Sequence, residues 1–131
     1  MYRNLISIMV VCFFIIIALG SAGKPPPTTE ELQSANYGPY PSNYEEIIKN
    51  YYSQILFDPY SAHFRFLQPK KVGWSDGDRH YFGYAVCGGI NAKNRFGGYV
   101  GEQAFFVIIN SDQVILQYTK SLAVDACNQF Y

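Results

Sequence analysis

A single change of hydrophobic period, at Pro59, constrains this chain more than any other feature. Ahead of it Ile47, Tyr51 and Ile55, with the parallel row Ile48, Tyr52 and Leu56, recur every four residues, the spacing of one broad apolar face on an α-helix. The spacing predicts an amphipathic helix over 43–57. Ser42 with Glu45 fits a capping box, Glu45 and Glu46 suit the positive end of the helix dipole, and Asp58-Pro59 cannot continue the hydrogen-bond ladder. Beyond Pro59 apolar residues alternate with polar or small ones, which is the period of a strand.

Phe64 and Phe66 mark a short strand over 63–67, ended by Pro69 and followed by a polar turn in which Ser75-Asp76-Gly77-Asp78 carries a hairpin signal. The run 79–90 returns, with Phe82, Tyr84, Val86 and Ile90 on one face and Gly83, Ala85 and Cys87 on the other. A continuously apolar run over 103–109 is the strongest strand, and Asn110-Ser111-Asp112-Gln113 turns it into a fourth over 114–119. Leu122, Ala126 and Phe130 suggest a short last helix over 122–130. The expected architecture is a single α+β domain over 42–131, its first helix packed on a four-stranded, mainly antiparallel sheet and followed by a short C-terminal helix.

Residues 1–22 differ from the rest. Behind Arg3, the stretch Leu5 to Leu19 is almost unbroken apolar sequence, and Gly20-Ser21-Ala22 offers the small residues a signal peptidase needs. This reads as a signal peptide cleaved near Ala22, or as an uncleaved signal anchor of just sufficient length to span a bilayer; both export the remainder of the chain. Cys12 lacks the preceding small residue of a lipid-attachment site. Pro25-Pro26-Pro27 opens a Pro-rich stretch, 23–41, that reads as a linker, or as a short strap lying over the fold through Tyr37 and Tyr40.

With ten Lys+Arg against ten Asp+Glu the chain carries no net charge, and losing Arg3 leaves nine against ten. A nucleic-acid or other polyanion binder is therefore not expected. Intrinsic disorder is excluded too, since 49% of residues are hydrophobic and 15% charged. Cys87 and Cys127 remain as an even pair in an exported chain, where a disulfide is the default. A reactive thiol or metal ligand is the other use of such a pair, with only His63 and His80 as partners.

The densest segment is 88–101, with five glycines, two asparagines and two cations between strands. Glycine and asparagine supply unusual backbone dihedrals, so an awkward but ordered loop explains the composition. As a binding loop it would present Asn91, Lys93, Asn94, Arg95, Phe96 and Tyr99, with Trp74 as a further aromatic anchor or else a core lid. The absence of a following Gly-Lys-Ser/Thr excludes a Walker phosphate cradle. Asp76, Asp78 and His80 form a weak cation-binding pattern. No motif of a serine hydrolase or zinc protease occurs, so no catalytic residue, metal or cofactor is assigned.

The stretch Asp58-Pro59-Tyr60-Ser61-Ala62-His63-Phe64, together with Cys87-Gly88-Gly89-Ile90-Asn91-Ala92-Lys93-Asn94-Arg95-Phe96-Gly97-Gly98-Tyr99-Val100-Gly101, resembles small exported bacterial proteins, many of them lipoproteins, that pair these two motifs. The resemblance covers roughly 44–110 and departs from the lipoprotein members in lacking a lipid-attachment cysteine. It implies a bacterial envelope or periplasmic setting, or secretion, and nothing catalytic. The resulting expectation is a non-enzymatic module binding a protein partner in the envelope, touching membrane only through 1–22 if that segment stays attached. The alternative is a secreted factor directed at a small ligand or a wall polymer. A hydrolase of that kind needs two carboxylates close together in a cleft, and Asp76, Asp78 and Glu102 are the candidates.

Overall fold

The computed structural model describes residues 23–131; the signal peptide or anchor expected over 1–22 lies outside them. A first helix, α1, spans Thr29–Ser34 and a second, α2, Tyr44–Ser53. A one-turn 3₁₀ segment, Pro59–Ser61, leads into β1 (His63–Phe66), β2 (Lys70–Asp76), β3 (Arg79–Asn91), β4 (Gln103–Asn110) and β5 (Gln113–Thr119), and α3 (Lys120–Cys127) is the last element. No helix among the described residues is long and apolar enough to cross a membrane.

The sheet has five strands, not the expected four, and every pairing is antiparallel. β1 and β2 lie end to end along one side of β3, β1 opposite Gly88–Asn91 and β2 opposite Arg79–Ala85. Pro69 therefore interrupts an outer row of strand without ending it, a place where its missing N–H costs no ladder bond. Leu67, just past β1, still donates its N–H to the Cys87 carbonyl at 2.8 Å.

β4 is buried on both faces, which is why it reads as an unbroken apolar run. Phe105, Val107 and Ile109 join Val86, Ile90, Ile48 and Tyr52 beneath α2. Phe106 and Ile108 join Ala85, Cys87, Ala123 and Ala126 beneath α3. Burying Ile48 and Tyr52 contributes roughly 2 kcal/mol each, and burial pushes the Tyr52 phenol up to about 12. The Cys87–Cys127 disulfide fastens α3 to β3, with Cα atoms 5.9 Å apart.

α2 is shorter than its repeat suggests, ending at Ser53, and its N-cap is Asn43 with no side-chain cap bond. Ile47 and Tyr51 are half-buried but Ile55 is exposed, so that row leaves the sheet before Pro59. The capping box forms in α1 instead: the Glu31 amide donates to the Thr28 hydroxyl at 3.2 Å and the Thr28 amide to the Glu31 carboxylate at 2.8 Å.

The 23–41 stretch is a strap rather than a free linker. Pro41 and Tyr37 are buried, the Tyr37 ring meets Phe82 edge-on at 5.7 Å, and Tyr40 meets Tyr84 at 5.4 Å. Asn110 pins it, donating from Nδ2 to the carbonyls of Asn36 and Phe82 at 2.8 Å each. Gly73, in the middle of β2, makes room for it, because a Cβ there would lie 2.4 Å from the Leu32 side chain.

Candidate functional site

The two motif segments that are separate in sequence meet at one end of β3. Asp58 caps the 3₁₀ turn, its carboxylate accepting from the Ser61 amide at 3.3 Å and its carbonyl from the Ser61 hydroxyl at 2.8 Å. Pro59 at the first turn position suits this geometry. The Ser61 hydroxyl accepts the Lys93 amide at 2.9 Å, and the Ser61 carbonyl accepts the Tyr99 hydroxyl at 3.0 Å. A phenol has one hydrogen, so the 3.0 Å contact between His63 Nε2 and the Tyr99 oxygen requires Nε2 to be the donor. Lys93 also bridges Tyr99 as a β-pair and rests its ammonium 5.6 Å above that ring.

Beyond the Lys93–Tyr99 bridge the chain turns tightly. The Asn94 amide donates to the Gly98 carbonyl at 2.9 Å, and the Asn94 carbonyl accepts from Gly97 at 3.0 Å. Its side-chain oxygen accepts from Phe96 at 2.9 Å and Gly98 at 3.3 Å. Gly97 has φ +77°, a conformation glycine adopts without strain. One asparagine thus satisfies the turn's backbone by itself, and Phe96 is left 95% exposed at the tip.

Other exposed apolar side chains are Tyr99 and Val100 on the loop, Tyr60 on the 3₁₀ turn at 102%, and Ile55 and Phe57 before it. Between α2 and the 3₁₀ turn lies an open groove of about 440 Å³ lined by Lys49, Asn50, Ser53, Leu56, Tyr60 and Phe64. A second of about 170 Å³ lies between Leu56, Ile90, Lys93 and Val100. Among the described residues neither Lys93 nor Arg95 takes part in an ion pair. Arg65 does, with Glu102 at 2.6 Å across β3, and this hydrogen bond holds the Glu102 carboxyl below its usual range. Gly89 leaves the space for that pair, since a Cβ there would meet the Glu102 carboxyl at 2.2 Å.

The proposed binding residues divide. Lys93, Asn94, Arg95, Phe96 and Tyr99 form the tip and its base, with Asn94 serving the backbone. Asn91 is the last residue of β3, not a loop residue, and its buried side-chain oxygen has no hydrogen-bond partner. Trp74 lies elsewhere, packed on Phe106, Tyr118 and Phe130 on the α3 side, its Nε1 donating to the Tyr118 hydroxyl at 3.1 Å. It is a lid on the core and no part of the tip. Tyr60, Phe57 and Ile55 are members of the patch that sequence reasoning misses.

The candidate carboxylates do not converge. Asp76 pairs with Arg79 at one end of β3 while Glu102 reaches across Gly89, roughly 30 Å along the strand. His80 is turned toward Glu31 and Pro25 rather than into a ligand set with Asp76 and Asp78. No group of three His, Cys, Asp or Glu able to hold a metal occurs among the described residues. No protein-family model, no curated protein and no solved structure matches this chain.

Proposed function

We propose that this chain is an exported module of the bacterial cell envelope that docks a protein partner through the 92–101 hairpin and the aromatic turn beside it. The observation that carries the reading is Phe96, a large apolar side chain wholly exposed on a turn whose backbone is already satisfied. Such a residue contributes nothing inside the fold, and rigid presentation lowers the entropic cost of binding. Tyr60, Phe57 and Val100 extend it into an apolar area with Lys93 and Arg95 at its border, an arrangement that suits a partner pocket rimmed by carboxylates.

Export is supported by the N-terminal sequence, by a disulfide of the kind that persists in oxidising compartments, and by the resemblance to exported bacterial proteins. The fold also favours an outward-facing tip. Residue 24 enters beside the Gly77 turn, its amide on the Gly77 carbonyl at 2.9 Å, about 40 Å along β3 from the hairpin. The described fold thus begins at the end of β3 opposite the tip.

The test is recovery of the full-length chain, tagged at its C-terminus, from the envelope of a Gram-negative host, with intact-mass measurement. The expected result is cleavage near Ala22, loss of two hydrogens, and one stoichiometric companion retained by the native chain but lost by Phe96→Ala and Tyr60→Ala. A companion indifferent to both changes overturns the reading. Binding of isolated wall polymer with Tyr60→Ala as the sensitive variant would favour the groove as a polymer site instead.

A further inference from the structure

The opposite end of the molecule holds a histidine in a setting that only one protonation state satisfies. His80 Nε2 lies 2.9 Å from the Pro25 carbonyl oxygen and Nδ1 3.2 Å from a Glu31 carboxylate oxygen. Carbonyl and carboxylate oxygens only accept, so both contacts are hydrogen bonds only when both ring nitrogens carry a proton. Neutral imidazole has one donor and one lone pair, and in either tautomer a lone pair then faces an oxygen. The side chain is 5% exposed, which leaves little access for water to substitute. Glu31 supplies a negative charge, its carboxyl held below the usual range by the Thr28 amide, the Thr28 hydroxyl and His80.

We propose that His80 is a pH-operated latch: as the imidazolium it holds the 24–34 segment of the strap on the sheet, and on deprotonation it releases that segment and uncovers the sheet face at Gly73, which Leu32 covers. The remaining attachments of 24–34 are few. The Lys24 amide bonds Gly77, the Ser75 hydroxyl donates to Pro25 at 3.2 Å, the Tyr37 hydroxyl donates to Leu32 at 2.7 Å, and Leu32 sits over Gly73. Lys24 and Glu31 approach to 4.0 Å in the open, a contact of little strength. These two are the charged groups facing His80 from the strap. From the sheet it meets Ser75, directly opposite on β2, and the Phe82 ring at 6.2 Å, both neutral. Asp76 and Arg79 form the next rung, on the other face. Release stops near Asn36, where Asn110, Tyr37 and Pro41 hold the chain independently.

The direction is fixed by the hydrogen-bond geometry: the doubly protonated ring is the latched form, so the strap is closed in acid and looser once a ring proton is lost. Amide hydrogen exchange on the full chain, each rate divided by its intrinsic value, tests this at about pH 5.5 and about pH 8. The amides of Lys24, Leu32 and Ala35 are expected to exchange about tenfold faster at the higher pH, the effect of losing one charge-assisted hydrogen bond, with β4 unchanged. Glu31→Gln sits on a half-exposed side chain and keeps the capping box; its oxygen serves Thr28 and its NH2 can donate to neutral Nδ1 but not accept from a protonated one, so the extra protection in acid is lost or reversed. His80→Gln abolishes it as well. Equal strap protection at both pH values in the native chain overturns the latch, and so does greater protection in acid that survives in Glu31→Gln.

Discussion

The two ends of β3 are built from similar materials and used in opposite ways. Each is a turn around a glycine of positive φ, Gly77 at +59° and Gly97 at +77°. At the Gly77 end the side chains are consumed by the chain itself: Ser75 and His80 hold Pro25, and the Gly77 carbonyl takes the Lys24 amide. At the Gly97 end Asn94 satisfies the backbone alone, and Arg95 and Phe96 have no partner to serve within the described fold. A surface turn becomes a candidate site when its backbone needs are met internally and its large side chains are not.

The largest expected effect is on the frame that both ends share. Reducing the disulfide, or making Cys127→Ser, releases a closure of 40 residues and should cost up to about 4 kcal/mol by the loop-entropy relation, read as a lower denaturant midpoint. The two Gly-Gly pairs of the second motif then separate packing from turning. A Cβ on Gly88 would stand 2.0 Å from the Arg65 carbonyl oxygen, whereas at Gly98 nothing lies within 4 Å. Gly88→Ala should cost about 3 kcal/mol and Gly98→Ala under about 0.5 kcal/mol in equilibrium unfolding.

Trp74 and Phe96 sharpen the comparison further, since both are large aromatics that a sequence offers equally as anchors. Trp74→Ala should lose roughly 3 kcal/mol of stability, and Phe96→Ala less than about 0.5 kcal/mol while weakening partner binding by about 2 kcal/mol. Asn94→Ala should cost about 1 kcal/mol and raise exchange of the Phe96 and Gly98 amides. The smallest effect concerns Glu102. Its carboxyl is held low by Arg65, so its contribution is present above the ordinary carboxylate range and fades as pH falls through the depressed value. Melting temperatures of the native chain and Glu102→Gln should therefore converge in acid.

Much of this fold is legible in the sequence because periodicity is a local signal. The stripe through Ile48 and Tyr52, the unbroken apolar run of β4 and the even Cys87–Cys127 pair are all visible in residue type and spacing. β2 is not legible, because Lys70-Lys71 and Gly73 look like turn chemistry until Leu32 is seen occupying the space a side chain would take. The strap stays open between two readings at the level of sequence, as prolines and isolated tyrosines say nothing about what they lie on. At the site, the loop residues are legible from composition, but their union with the Asp58–Ser61 turn depends on the pairing of β1 with the far half of β3. Trp74 misleads as an anchor because its burial comes from Phe106, Tyr118 and Phe130, which approach from three other parts of the chain.

The central claim is that the hairpin end, and not the strap end, meets a partner. In-cell photo-crosslinking of the full chain tests it most directly, with a benzophenone side chain in place of Phe96 or, separately, of Asp78. A discrete adduct from position 96 and none from position 78 is the predicted result. Adducts of equal yield from both positions, or from position 78 alone, would contradict it.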